Sequence, residues 1–135
     1  MASTFSTDLA LELVATGEKA GLWGTITNTN LQVLQQSTSG VVDVSMTSSS
    51  DKTLSLSDGA TSDGKNIYLK LTGTMTGNVN LIIPASTTGG NANRVFFVED
   101  GTTRGGAGDS YTVTLLTTGQ SASTQVPLPE GATAL

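Results

Sequence analysis

From Val41 onward the chain consists of short runs in which β-branched or aliphatic residues alternate with polar ones, and each run ends at Gly, Asp-Gly or Pro. A period of two is typical of strands, because successive side chains of a strand point to opposite faces. Turn dipeptides such as Asp58-Gly59 separate the runs. The runs are VVDVSMTSS, KTLSLSDGA, KNIYLKLTG, GNVNLIIPA, NRVFFVEDG, DSYTVTLLTTG and STQVPLPEG. The runs show no clear internal repeat. Short strands at near-regular spacing predict a mainly β body over residues 41–135, with an antiparallel β-sandwich or barrel-like fold.

The first 40 residues have a different pattern and form a predicted N-terminal module. In FSTDLALELV the side chains of Leu9, Leu11 and Leu13 alternate with Ala10 and Glu12. This alternation favours a strand or an extended arm. A helix remains the alternative, because Leu and Ala are good helix formers.

A glycine-containing loop, ATGEKAGLWGT, is expected next, and one short helix is expected to follow it in TNTNLQVLQQSTSG. Asn28 or Thr29 is the expected N-cap, and Thr29 with Gln32 fits a capping box. Leu31 and Leu34 then share a face, and Gly40 is a plausible stop. Two to three turns of helix are too short to be stable without packing against other elements.

The composition excludes several classes of function. Only 36% of the residues are hydrophobic, below the usual ~45–50%, so part of the core is expected to lie between chains of a homo-oligomer. The net charge is −5, and nucleic-acid binding, which needs clustered cations, is not expected. No run approaches the ~18 apolar residues that cross a bilayer. The scattered cations are Lys19, Lys52, Lys65, Lys70, Arg94 and Arg104.

Candidate catalytic residues are scarce. The chain has no His and no Cys, which excludes His-based acid–base chemistry and thiolate chemistry. Asp58 and Asp63 are expected to form turns, and Glu99-Asp100 to cap a strand. The run RGGAG resembles a phosphate-binding loop only loosely and is expected to be a flexible loop. We therefore expect no enzyme activity, no metal site and no cofactor.

The single tryptophan, Trp23, lies between Gly21 and Gly24. One interpretation makes it a local core that packs the glycine loop against Leu31 and Leu34. The other makes it an anchor that inserts into a neighbouring subunit, since Trp is enriched at interface hot spots. Both interpretations remain open in an interwoven oligomer.

The N-terminal module resembles that of a known family. STFSTDLALELVATGEKAGLWGTITNTNLQVLQQSTSG is similar to the N-terminal segment of bacteriophage tail-fibre and virion structural proteins, and LSLSDGATSDGKNIYLKLTGTMTGNVNLIIPA resembles a second phrase of that family more loosely. Together the two stretches span more than half of the chain. Asp8 stands where the family usually has Asn, and Lys65 where Arg is common. Family members tend to continue beyond PLPEGATAL, so we expect a piece of a longer fibre or a short member.

The resemblance implies a structural role in the virion, as a tail-fibre N-terminal module that anchors the fibre to the phage tail and so supports host attachment. It implies synthesis in the host cytoplasm, self-association, with a homotrimer as the expected state, and other tail or adaptor proteins as partners. A capsid decoration (cement) protein is the alternative, and a glycan-binding β module is disfavoured because aromatic residues are few. The residues expected at the attachment surface are Phe5, Leu9, Leu11, Leu13, Trp23, Asn28, Asn30, Leu31 and Leu34.

Overall fold

The computed structural model describes residues 4–84, 95–105, 111–121, 125, 127–131 and 133–134. These residues form one α-helix, one 3-10 turn and ten short strands. In chain order the elements are β1 (Thr4–Phe5), β2 (Glu12–Leu13), α1 (Trp23–Ser39), β3 (Val41–Ser45), β4 (Lys52–Thr53), the 3-10 turn (Asp63–Lys65), β5 (Tyr68–Thr72), β6 (Val79–Ile83), β7 (Phe97–Asp100), β8 (Val113–Thr117), β9 (Pro127–Leu128) and β10 (Thr133–Ala134).

The predicted extended arm is a hairpin. β1 and β2 pair antiparallel, and the chain between them turns back on itself. The amide of Ser6 donates to the carbonyl oxygen of Leu11 at 2.9 Å, and the amide of Ala10 to that of Ser6 at 3.1 Å. Ala10 is buried and has a positive φ of 51°, a conformation that interrupts an extended run. The alternation of Leu9, Leu11 and Leu13 is therefore not that of a continuous strand.

Helix α1 is longer than predicted and has a different start. It spans 17 residues and begins at Trp23, with Leu22 as an N-cap residue that makes no side-chain capping bond. The capping box predicted at Thr29 is wrong: its hydroxyl lies inside the helix and donates to the carbonyl of Thr25 at 3.0 Å. The predicted end is confirmed, since Gly40 is the C-cap and its amide donates to the carbonyl of Gln36.

The β body is built mainly from parallel strands, which corrects the antiparallel prediction. β3, β5 and β7 are parallel neighbours in one four-stranded sheet, and β4, β6 and β8 are parallel neighbours in another. Only the last strands, β10 and β9, add antiparallel edges to these two sheets. The described residues form mixed sheets, and none of these sheets closes into a barrel.

From β3 to β8, consecutive strands alternate between the two sheets, so this part of the chain winds like a solenoid. We define coil 1 as β3, β4 and the chain that leads on to β5, coil 2 as β5 with β6, and coil 3 as β7 with β8. Val41 pairs in register with Tyr68, and Tyr68 with Phe97, a period of roughly 30 residues that is typical of repeat architectures. The repeat is not visible in the sequence, because equivalent positions share their hydrophobicity pattern but not their residue types.

The core lies between the two sheets. Inward-facing positions of each strand are buried, whereas alternate positions such as Asp43, Lys70 and Glu99 form a charged row on the outside. This arrangement needs few apolar residues per coil, because one buried row from each strand fills the space between the sheets. The core consists of Val44, Met46, Leu54, Leu69, Leu71, Met75, Val79, Leu81, Phe96, Val98, Val113 and Leu128.

Candidate attachment surface

Helix α1 packs one face against the rest of its own chain. Val33 is fully buried on that face, and Ile26 and Asn30 are half-buried. These residues follow one another at helical spacings of four and three, which places them on one side. The helix is thus held in place without using most of its larger apolar side chains.

Those larger side chains are exposed. Trp23 is 65% exposed, Leu31 57% and Leu34 40%, and Leu22, just before the helix, is 55% exposed. Trp23, Leu31 and Leu34 belong to one row along the helix, together with Thr27 and Thr38, because neighbours in this row are three or four positions apart. We call this row the α1 stripe. Single exposed apolar residues are normal on proteins, but a contiguous row marks a surface that other molecules cover.

The stripe lies on an uncharged helix. No Asp, Glu, Lys or Arg occurs between Trp23 and Ser39. The remaining outward positions are amides and hydroxyls, such as those of Asn28, Gln32 and Gln35, which are all exposed. Solvent-exposed protein surfaces normally carry charged side chains. The helix differs in this respect from the rest of the chain, which is acidic.

The hairpin is tied to the helix by Asn30. Its amide nitrogen donates to the carbonyl oxygen of Glu12 at 2.9 Å, and its amide oxygen accepts from the backbone amide of Glu12 at 3.1 Å. The Glu12 carboxylate also forms an ion pair with Lys19 at 3.2 Å. A single asparagine therefore satisfies both backbone polar groups of one hairpin residue.

The hairpin also packs on coil 1. The amide of Gly59 donates to the carbonyl of Ala10 at 2.8 Å. A Cβ atom at Gly59 would come within 2.9 Å of the Phe5 ring, so only glycine allows this approach. The hairpin is thus folded against the body.

The C-terminal end of α1 is fixed to coil 1 by Gln36. Its side-chain amide exchanges two hydrogen bonds with the backbone of Ser62, at 3.3 and 3.4 Å, and its backbone carbonyl accepts from the amide of Ile67 at 3.0 Å. The role of Gln36 was not predicted from the sequence, because a Gln within a polar run carries no signal for such a contact.

The structure separates the sequence-predicted surface residues into two groups. Phe5, Leu9 and Leu11 are half-buried within the hairpin, whereas Leu13 is exposed. Asn28 lies exposed on the second turn of α1 and is not its N-cap. The interpretation of Trp23 as a local core residue is wrong, since its side chain is mostly in water. Trp23, Leu31 and Leu34 come together on the α1 stripe.

The carboxylates of the body have structural partners. Asp63 accepts hydrogen bonds from the Ser55 hydroxyl at 2.6 Å and from the amide of Gly64 at 2.7 Å, which confirms its prediction as a turn former. Within the described parts of the chain, no group of three acidic side chains is placed to hold a metal ion.

Asp100, the last residue of β7, forms a buried ion pair with Arg104, which lies between β7 and β8 of coil 3. The Arg104 guanidinium also donates to the carbonyl of Leu128 at 2.9 Å, which ties β9 to the coil, and Asp100 accepts from the Thr102 hydroxyl at 2.6 Å. Burial of Asp100 raises the pKa of its carboxyl, but the hydrogen bonds from Thr102 and the charge and hydrogen bond of Arg104 outweigh it, so the pKa is lowered. The run RGGAG, which loosely resembles a phosphate-binding loop, begins at Arg104 and continues to Gly108, beyond the described residues.

Two aromatic rings stack on the outside of the first sheet. The rings of Tyr68 and Phe97 have centroids 6.4 Å apart and planes inclined by 11°. The Tyr68 hydroxyl donates to the Glu99 carboxylate at 2.7 Å, and this hydrogen bond raises the pKa of Tyr68. Each ring thus covers one face of the other, which leaves less aromatic surface for a sugar to stack on.

Comparisons of the chain with protein-family models, with curated proteins and with solved structures found no match. Among the described residues, no helix is both long enough and apolar enough to span a membrane.

Proposed function

We propose that this chain is a virion structural protein, a tail-fibre N-terminal module whose residues 1–40 anchor the fibre to the phage tail and so support host attachment. The observation that carries the proposal is the α1 stripe with the neighbouring Leu22, which together expose four large apolar side chains on one short segment. Self-association as a homotrimer and contacts with tail or adaptor proteins are parts of the same proposal.

The energetic reason is the surface that the segment leaves in water. A Trp side chain contributes roughly 150–250 Å² when it is buried, and apolar burial stabilises by about 25 cal/mol per Å². Covering Trp23 and the two stripe leucines in an interface is therefore favourable by several kcal/mol before the entropic cost of association. Interface anchors are typically residues of this kind.

A structural role also agrees with the chemistry of the body. Its clearest charged cluster, Asp100 with Arg104, is buried, and a hydrogen bond from Arg104 to the carbonyl of Leu128 ties β9 to coil 3. A catalytic acid or base needs access to a substrate, and this pair faces the interior. We therefore propose a protein that works through its surfaces, without catalysis.

The proposal is tested by the occupancy of variants in assembled particles. Deleting residues 1–15 would also remove Phe5 and Ala10 from their contacts with coil 1, so point substitutions are sharper. We expect Trp23→Ala to lower the number of copies per particle severalfold, as measured by quantitative mass spectrometry of purified tails and capsids. Recovery of the wild-type protein from capsids instead of tails would favour the cement-protein alternative.

Val95→Ala is the matched control, because Val95 is an equally exposed apolar residue on the body. Both variants should melt at the temperature of the wild-type chain, which separates loss of attachment from loss of folding. Normal occupancy of Trp23→Ala together with loss of Val95→Ala would show that the body carries the contact.

A further inference from the structure

The α1 stripe has the spacing of a helix that packs against a copy of itself. Thr27, Leu31, Leu34 and Thr38 are separated by four, three and four residues, the alternation of a heptad seam. Both leucines of this seam are exposed, and the face that α1 packs on its own chain, around Val33, is a different one. Thr27 is half-buried, but Leu31, Leu34 and Thr38 are exposed, so most of the seam is not covered by the described part of the chain.

The absence of charge on α1 favours a second copy as that partner. The chain carries a net charge of −5, so two copies repel each other over most of their surfaces. Along α1 this repulsion is smallest, since its 17 residues include no charged side chain. A partner recognised through charge complementarity would find nothing to pair with on this helix.

The end of α1 that carries Leu22 and Trp23 favours a parallel orientation. The seam itself reads the same in both directions, so either orientation forms two leucine layers between two hydroxyl layers from Thr27 and Thr38. In a parallel, in-register pair each residue meets its own copy, and Leu22 and Trp23 of every copy come to one end of the bundle. That end is the one the proposed function uses for docking.

We propose that α1 packs in parallel and in register against α1 of further copies of this chain, with Thr27, Leu31, Leu34 and Thr38 as the seam. This inference rests on the proposed function, because it names another copy as the first partner of the same helix surface. The folded body of each copy then lies to the side of the helices, on the face around Val33.

Because the chain has no Cys, single introduced thiols report this contact directly. Leu34→Cys places a thiol on the seam, and Gln32→Cys places one on the exposed opposite side of the same helix. Under mild oxidation with oxidised glutathione, a parallel seam brings each position 34 next to its own copy. We expect Leu34→Cys to form covalent dimers rapidly at micromolar concentration, and Gln32→Cys to remain largely uncrosslinked.

Orientation is read from mixtures of Thr27→Cys and Thr38→Cys chains. A parallel seam links each variant to itself, whereas an antiparallel seam links the two variants to each other and overturns the proposed orientation. Equal crosslinking of Leu34→Cys and Gln32→Cys, or none of either, overturns the seam itself.

Light scattering on chains without thiols completes the test. The wild-type protein should have the mass of an oligomer and Leu31→Ser/Leu34→Ser that of a monomer, both with the same circular dichroism spectrum. A monomeric wild type overturns the inference and the proposed homotrimer, whereas the docking role of the segment still stands if Trp23→Ala fails to enter particles. Conversely, crosslinking through position 34 with normal occupancy of Trp23→Ala supports the seam and contradicts the docking role.

Discussion

Trp23 is the first residue of α1, and it is 65% exposed. Its position between Gly21 and Gly24 was compatible with a local core and with an intersubunit anchor, because Trp is highly buried in both settings. What decides is the start of α1: once the helix begins at Trp23, the residue falls on the stripe side of the helix and not on the Val33 side. No capping signal in the sequence marks that start.

The exposure of Trp23 predicts a small effect of its removal on the stability of the isolated chain. We expect Trp23→Ala to change the free energy of unfolding of the dilute, monomeric protein by no more than about 0.5 kcal/mol, as for other surface substitutions. Urea unfolding followed by circular dichroism measures this difference. A loss of about 3 kcal/mol or more, typical of a truncated core aromatic residue, would place the ring in the core and contradict the described surface.

The lowered pKa of Asp100 predicts that the folded protein loses stability at low pH. The folded-state pKa of this carboxyl is lowered, so its contribution is present above the pKa of an unfolded Asp, about 3.9, and is lost as the pH falls through the still lower folded-state value. We expect the melting temperature to fall in this acid range, and Asp100→Asn, measured by calorimetry, to lose part of that dependence.

Asp43→Asn is the control for this titration, since Asp43 lies exposed on the outer charged row. It should keep the acid dependence of the wild type. Identical pH profiles for Asp100→Asn and the wild type would mean that the buried ion pair does not stabilise coil 3.

At the level of elements, the hairpin and α1 form one unit through a single side chain. Asn30→Ala removes both hydrogen bonds to the backbone of Glu12, and at about 0.5–1.5 kcal/mol each this should destabilise the chain by about 1–3 kcal/mol. Hydrogen exchange at the amide of Glu12 should rise in the same variant.

The neighbouring Asn28 supplies the control, because it has the same residue type and helix but an exposed side chain. We expect Asn28→Ala to stay within about 0.5 kcal/mol of the wild type. Equal losses for the two variants would show that the bridge to Glu12 does not determine the effect.

Several elements of this fold were readable from the sequence. The alternating residues of β3, β5, β6 and β8 lie in runs predicted as strands, and the end of α1 at Gly40 was correctly placed. The hairpin was missed because its turn depends on Ala10 adopting a positive φ, which non-glycine residues seldom do.

At the scale of the whole molecule, the direction of the strands could not be read. A half-buried strand alternates with a period of two whether its neighbour is parallel or antiparallel, and the local runs do not say which strand is the neighbour. In this chain the neighbour is the strand after next, because the intervening one lies in the other sheet. The candidate surface was also predicted only in part. The sequence indicated that Leu31 and Leu34 share a face of α1, but it did not indicate which side of α1 packs on the body.

The central claim is that the α1 stripe, and not the β body, is covered when the protein is assembled. Hydroxyl-radical footprinting with mass-spectrometric detection tests it most directly, because Trp23 is the single Trp of the chain and Phe97 supplies an internal reference on the body. The account predicts that oxidation of Trp23 falls severalfold between the isolated protein and purified particles, while oxidation of Phe97 is unchanged. Unchanged oxidation of Trp23, with Phe97 protected instead, would contradict it.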